Sequence, residues 1–168
     1  GTKLTTRRTA AASALAADYL ARQDTREMVM VGSGAMAPNL INAHASVRPI
    51  KKVTIWNRNG DKARALAAET ATLGFEAVGT DDLEMACKTA DLISCATLST
   101  EPLVRGEWLR EGTHVDLVGA FKPTMRETDD ALMQKCRIYV DSFEGAAAGG
   151  GDVVQPLNAG SISKSTQT

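Results

Sequence analysis

Short apolar runs alternate along this chain with longer stretches in which alanine and leucine recur at helical spacing. The first run, Met28-Val29-Met30-Val31, lies in a strand predicted over 27–31. Ahead of it, the residues from Thr5 or Thr6 to Ala21 are strong helix formers, and either threonine can cap them. Leu15 and Leu20 with several alanines give that helix a thin apolar stripe, suited to close approach to a sheet. A helix is expected over 34–47, then a second strand over 51–57, rich in β-branched residues at alternate positions. Asn59 suits the cap of an alanine-rich helix over 61–73, which Gly74 ends. Residues 75–78 read as a third strand, and Asp81 or Asp82 as the cap of a helix that ends near Thr89. Further strands are expected over 91–97, 113–118 and 137–140, the last followed by Asp141 as the cap of a short Ala/Gly-rich helix. Alternating strands and helices predict an α/β fold with a doubly wound, mostly parallel sheet and helices on both faces.

Chemistry enters at Gly32-Ser33-Gly34-Ala35-Met36-Ala37, between the first strand and its helix. Gly32 permits a tight turn, Gly34 lets a ligand approach the backbone, and Ala37 allows the helix to pack on the strand. Unpaired N–H groups at the start of that helix would face an anion. Such a turn alone is common, but here strand, turn, helix and second strand fall within about thirty residues, the size of one dinucleotide-binding unit. In that unit a carboxylate at the end of the second strand binds the ribose 2′-hydroxyl of NAD. This chain has Asn57 and Arg58 there, followed by Asn59; amide and guanidinium bond a 2′-phosphate, so NADP(H) is favoured over NAD(H). Asp61 is the nearby acid and belongs in the first helical turn. The bland alternative is a solvated Asn-Arg loop.

Ligands in such sheets bind beyond the carboxyl ends of the strands. Thr97 ends the fourth strand and Val118, Gly119 and Ala120 end the fifth, so they are expected to border the cofactor with Ser33, Ala35 and Met36. The resulting division is a linking helix over 1–24, a Rossmann domain over 25–160 and a tail over 161–168.

The length of 168 residues fits one domain with a proper core, and a net charge of −1 without basic runs gives no nucleic-acid footprint. No apolar run reaches bilayer length and no signal peptide opens the chain. Cys87, Cys95 and Cys136 lack metal-type spacing and read as free thiols in a reducing compartment, so a cytoplasmic setting is expected. His44 and His114 are far apart in sequence, and no metal site is predicted.

Arg8-Thr9-Ala10-Ala11-Ala12-Ser13-Ala14-Leu15-Ala16, Val31-Gly32-Ser33-Gly34 and Trp56-Asn57-Arg58 recur in this order in one family. With Val118-Gly119-Ala120, Pro123, Arg126-Glu127, Tyr139-Val140-Asp141 and Gly151-Asp152, the chain resembles the ornithine cyclodeaminase/mu-crystallin family over nearly its whole length. That resemblance implies a dimeric oxidoreductase whose Rossmann domain is inserted into a second domain, of which this chain looks like the Rossmann part. The family's further carboxylate-binding basic residues come from the preceding part. Arg8 then corresponds to the arginine that pairs a substrate carboxylate, a role suited to its planar fork, and Thr9 to a contact near the cofactor phosphates. Without the family, Arg8 reads as an exposed helix charge, and Arg7 beside it reads the same way.

One loop departs from the cyclodeaminase pattern, GGDxPGKxE. Here it runs Gly119-Ala120-Phe121-Lys122-Pro123-Thr124-Met125-Arg126-Glu127, with Phe121 in the place of the aspartate and Met125 in that of the lysine. A phenyl ring transfers no protons. The loop is more similar to those of mu-crystallin and bacterial cyclic-imine reductases. No catalytic residue is assigned; Lys122 and Arg126 read as solvated loop charges and Asp116 as structural. The expectation is NADPH-dependent reduction of a cyclic ketimino acid such as pyrroline- or piperideine-2-carboxylate, by a full-length homodimer, with the isolated segment inactive. The alternatives are an NAD-dependent ornithine cyclodeaminase or amino-acid dehydrogenase, and a non-catalytic NADP- or ligand-binding protein.

Overall fold

The structure, a computed structural model, describes residues 2–163; most of the expected tail, 164–168, lies outside them. Five strands, β1 (Glu27–Val31), β2 (Lys52–Trp56), β3 (Glu76–Thr80), β4 (Leu92–Cys95) and β5 (His114–Leu117), form one parallel sheet in the order β3-β2-β1-β4-β5. The order reverses between β1 and β4, the place where such sheets take their ligands. β1 and β4 are covered on both faces, which is why they read as unbroken apolar runs. β2 buries Val53 and Ile55 and turns its alternate residues outward. Each fully buried side chain such as Met30, Ile55 or Ile93 contributes about 1.5–3 kcal/mol by leaving water.

The helices are α1 (Thr2–Leu20), α2 (Ala37–Val47), α3 (Gly60–Ala71), α4 (Leu83–Thr89), α5 (Asp130–Lys135), α6 (Phe143–Gly149) and α7 (Gly151–Asn158). α1 starts before Thr5 and Thr6, so neither threonine is its cap. Its buried stripe is Ala10, Ser13, Ala14 and Ala17, continued by Ala21 just past its end, while Leu15 and Leu20 are exposed. The spacing of three and four residues selects the small side chains, and Leu15 falls off that face. α2 begins at Ala37 rather than at residue 34, because 34–36 form a turn closed by the Ala37 N–H on the Gly34 carbonyl. Pro38 follows in the first turn, where its missing N–H costs nothing. Asn59 caps α3 and Asp82 caps α4 through their side chains.

The expected sixth strand does not form among the described residues: 137–140 make at most an isolated bridge at Ile138, which is buried between exposed Arg137 and Tyr139 and adds no strand to the sheet. Ser142, not Asp141, caps α6 by accepting the Gly145 N–H. α5, α7 and a 3-10 turn at Gly106–Trp108 had no counterpart in the sequence pattern.

The chain divides into two compact units. The first holds the chain up to Ala96 together with Arg110–Val118, and so the whole sheet. The second holds Thr97–Leu109 and the chain from Gly119 onward.

Candidate functional site

In the first unit, β1 ends in the glycine turn, and Gly32 takes a φ of 109°, a backbone state that side-chain-bearing residues rarely adopt. Its N–H donates to the Trp56 carbonyl at 2.8 Å, which fastens the turn to the end of β2. Gly34 is exposed, and a Cβ there would meet nothing within 4 Å. Protein packing therefore does not require glycine at this position; the free space lies on the solvent side, beside the start of α2. Ala35 is exposed, and Ser33 and Met36 are half-buried.

The loop after β2 is tied to this turn. Asn57 donates through Nδ2 to Ser33 Oγ at 2.6 Å, and its Oδ1 accepts the Asn59 N–H at 2.9 Å. Asn59 in turn accepts the N–H groups of Asp61 and Lys62, so the cap of α3 continues the chain of bonds. Asp61 and Asp81 both pair with Arg64, at 3.0 and 3.1 Å. Arg58 is exposed and forms no hydrogen bond or ion pair with a described residue. The loop thus presents one uncommitted guanidinium while the neighbouring carboxylates are engaged. An open glycine turn at a helix start, at the end of the first strand of a parallel sheet, fits the pyrophosphate of a dinucleotide.

On α1, Arg8 is exposed and Thr9 half-buried, and no described bond joins either to the glycine turn. Arg7, rather than Arg8, lines an open groove of about 390 Å³ with Ala10, Ala14, Ala43 and Val47. Val118 ends the sheet by donating its N–H to the Cys95 carbonyl at 2.9 Å.

In the second unit, Thr97 and Gly119 are joined by Glu127, a residue for which the sequence yielded no role. The buried Glu127 carboxylate accepts the Thr97 N–H at 2.6 Å, the Thr97 hydroxyl at 2.7 Å and the Gly119 N–H at 2.8 Å. Burial pushes its pKa up to about 7 against those bonds. Asp152, also buried and also raised by burial, accepts the N–H groups of Glu127 and Thr128, both at 2.9 Å. Ala120 is buried, and its carbonyl accepts the Gly151 N–H. Phe121 and Lys122 are exposed. Arg126 is not the solvated charge expected: it is mostly covered, donates to the Thr128 carbonyl at 2.7 Å and pairs with Asp130.

The fold also joins the two histidines that sequence distance separates. His44 Nε2 pairs with Asp116, and His114 lies near enough to both for their charges to act on its ring. Among the described residues no group of three or more His, Cys, Asp or Glu side chains is arranged to hold a metal ion. No helix is long and apolar enough to cross a membrane, among the described residues.

A model of the ornithine cyclodeaminase/mu-crystallin family matches residues 1–166. The Delta(1)-pyrroline-2-carboxylate reductase of Paracoccus denitrificans is 40% identical over 156 residues, covering 92% of this chain and 49% of that protein. The ketimine reductase mu-crystallin of Macropus fuliginosus is 34% identical over 154 residues, covering 92% of this chain and 48% of its own. The structure of Thermococcus litoralis Delta(1)-pyrroline-2-carboxylate reductase in complex with NADH and L-proline is similar with a TM-score of 0.96 at 35% identity. That match covers 99% of this chain and 52% of the Thermococcus chain. The chain spans about half the length of the relatives it matches.

Proposed function

The chain belongs to the ornithine cyclodeaminase/mu-crystallin family, and we propose that it is the nucleotide-binding part of an NADPH-dependent reductase of cyclic ketimino acids. The substrate class is a five- or six-membered cyclic imine bearing a carboxylate, of the pyrroline- or piperideine-2-carboxylate type. The pyrroline-2-carboxylate reductase and ketimine reductase names of its relatives support that class. The observation that carries the choice of NADPH is Arg58, exposed and unpaired among the described residues beside the Ser33–Asn57 bond.

When bound, the reduced nicotinamide supplies the hydride. Gly32, Ser33, Gly34, Ala35 and Met36 would offer backbone donors and free space to the pyrophosphate, and Asn57, Arg58 and Asn59 would receive the adenosine ribose and its phosphate. Thr9, Thr97, Val118, Gly119 and Ala120 are proposed as further cofactor contacts, from their places in the family motifs. Arg8 is proposed to fix the substrate carboxylate through a two-pronged bond. Holding the imine carbon in line is then the protein's main contribution to rate. Phe121 supports reduction over deaminating cyclisation, because its exposed ring has no proton to exchange with a substrate amine. The proposal includes a homodimer for the full-length protein and a reducing, cytosolic setting, which the free thiols of Cys87 and Cys136 favour.

The test is an assay of the full-length protein with pyrroline-2-carboxylate and each reduced nucleotide. NADPH oxidation that depends on the imine is the expected result. Imine reduction with NADH alone would remove the NADP assignment, and release of ammonia from ornithine without imine reduction would replace the reaction.

A further inference from the structure

Within the second unit, one side chain ties together the segments by which the chain leaves two adjacent strands. Thr97 comes two residues after β4 and Gly119 two residues after β5. Glu127 Oε1 accepts both Thr97 donors, and Oε2 accepts the Gly119 N–H. Gly119 is pressed so closely into this arrangement that a Cβ would run into the Thr97 carbonyl and the Glu127 carboxylate. The main chain of Glu127 is itself held: Asp152 accepts its N–H, and the N–H groups of Leu103 and Val104 donate to its carbonyl at 2.9 and 3.0 Å. An anchored backbone thus carries a carboxylate with three donors on two oxygens.

We propose that Glu127 is a positioning residue for the reductase: its ionised carboxylate latches Gly119 to Thr97 and so fixes the loop over 119–126, and protonation opens the Gly119 side of that latch. The inference rests on the proposed reductase reading, in which this loop serves the reacting centre.

The chemistry of the latch follows from its donors. A proton on Oε1 would oppose the Thr97 N–H and also force the Thr97 hydroxyl to turn from donor to acceptor. It therefore goes to Oε2, where the new O–H meets the Gly119 N–H alone and that bond is lost. The charges around Glu127 set the balance. Asp152 on α7 adds negative charge and favours the proton, whereas Arg126, adjacent in sequence, is occupied by Asp130 and the Thr128 carbonyl. Thr97 and Gly119 contribute neutral donors that favour the ionised form. With burial raising the carboxyl to about 7, the two states exchange dominance in the neutral range.

Amide hydrogen exchange on the full chain tests this without any nucleotide. Protection at the Gly119 amide, corrected for the intrinsic pH dependence, is expected to fall about tenfold between about pH 8 and about pH 6, the scale of a bond to a charged acceptor. Protection at Thr97 is expected to change far less, because Oε1 still accepts. Glu127→Gln keeps the shape and loses the titration, so Gly119 protection should be low at both pH values. Flat Gly119 protection in the wild-type chain, or the same step retained in Glu127→Gln, would overturn the latch. If that variant does not fold, the wild-type series decides by itself. In the full-length protein kcat should fall with the same midpoint; absence of imine reduction at every pH would count against the reductase reading and leave the exchange result standing.

Discussion

His44 Nε2 lies 3.1 Å from Asp116 Oδ2, and the same oxygen accepts the Ser94 hydroxyl at 2.7 Å. Ser13 bonds this carboxylate as well. One half-buried acid on β5 therefore joins α1, α2 and β4. The helix that starts at the glycine turn and the helix that carries Arg8 share this anchor. Asp116 is structural in that sense, and its partners are distant in the chain: His44 lies 72 residues away and Ser13 farther still.

Asp116→Asn is expected to weaken the first unit in a pH-dependent way. Burial raises the Asp116 pKa, but the bonds from His44, Ser94 and Ser13 outweigh it and hold the carboxyl below its ordinary range. A depressed folded pKa contributes stability above the unfolded value of about 3.9 and loses it as pH falls through the folded value. Urea unfolding at neutral pH should show a deficit of about 2–4 kcal/mol in the variant. That deficit should shrink below about pH 4. A gap of constant size down to acid pH would refute the assignment.

Arg58→Ala separates the two nucleotides. The guanidinium has no described partner, so its removal leaves the fold alone and costs only what it gives to a ligand. NADPH affinity should drop by about 1–3 kcal/mol, the worth of a charge-assisted contact, while NADH affinity is unchanged. Calorimetric titration of both nucleotides against both proteins reads this directly. Equal weakening of the two would mean that Arg58 does not contact the 2′-phosphate.

The elements legible in the sequence are those whose signal is local. β1 and β4 bury both faces and so appear as apolar runs, and Asn59 caps α3 with bonds two and three residues away. What stayed hidden depends on distant contacts. Ile138 between Arg137 and Tyr139 imitates a strand, yet it is one buried residue with an isolated bridge, and the pairing does not extend into a strand of the sheet. α5 has six residues, too few for a period to show, although Leu132 and Met133 are buried. Glu127 looks like any loop carboxylate until the fold places Thr97, 30 residues earlier, against it. The glycine turn was legible because its geometry is local; the latch was not, because its donors are far away in the chain.

Arg48 is a second charge whose role only the fold reveals. Its side chain is buried and donates to the carbonyls of Asp18, Ala21 and Val47 and to the Asp18 carboxylate at 2.8 Å. The Asp18 and Ala21 carbonyls, at and just past the end of α1, and the Val47 carbonyl at the end of α2 would otherwise lack donors. Arg48→Lys offers one compact ammonium in place of a planar fork, so it should not rescue the interaction. Chemical unfolding is expected to show a loss of about 2–4 kcal/mol for Arg48→Met and nearly as much for Arg48→Lys. Wild-type stability in the lysine variant would show that charge alone suffices.

Two glycines make opposite predictions for the same substitution. At Gly34 the backbone angle is ordinary and no described atom lies within 4 Å of the would-be Cβ. Gly34→Ala should change folding stability by less than about 0.5 kcal/mol. Nucleotide affinity should nevertheless fall by about tenfold or more, because the methyl group projects where a pyrophosphate must approach the main chain. At Gly119 the methyl group would collide with Thr97 and Glu127, so Gly119→Ala should lower stability by about 1–3 kcal/mol before any ligand is added. Thermal melts paired with fluorescence titration of NADPH measure both quantities. A Gly34→Ala protein that binds as tightly as wild type would exclude this turn as the phosphate cradle. One that fails to fold would mean that packing, and not a ligand, keeps glycine there.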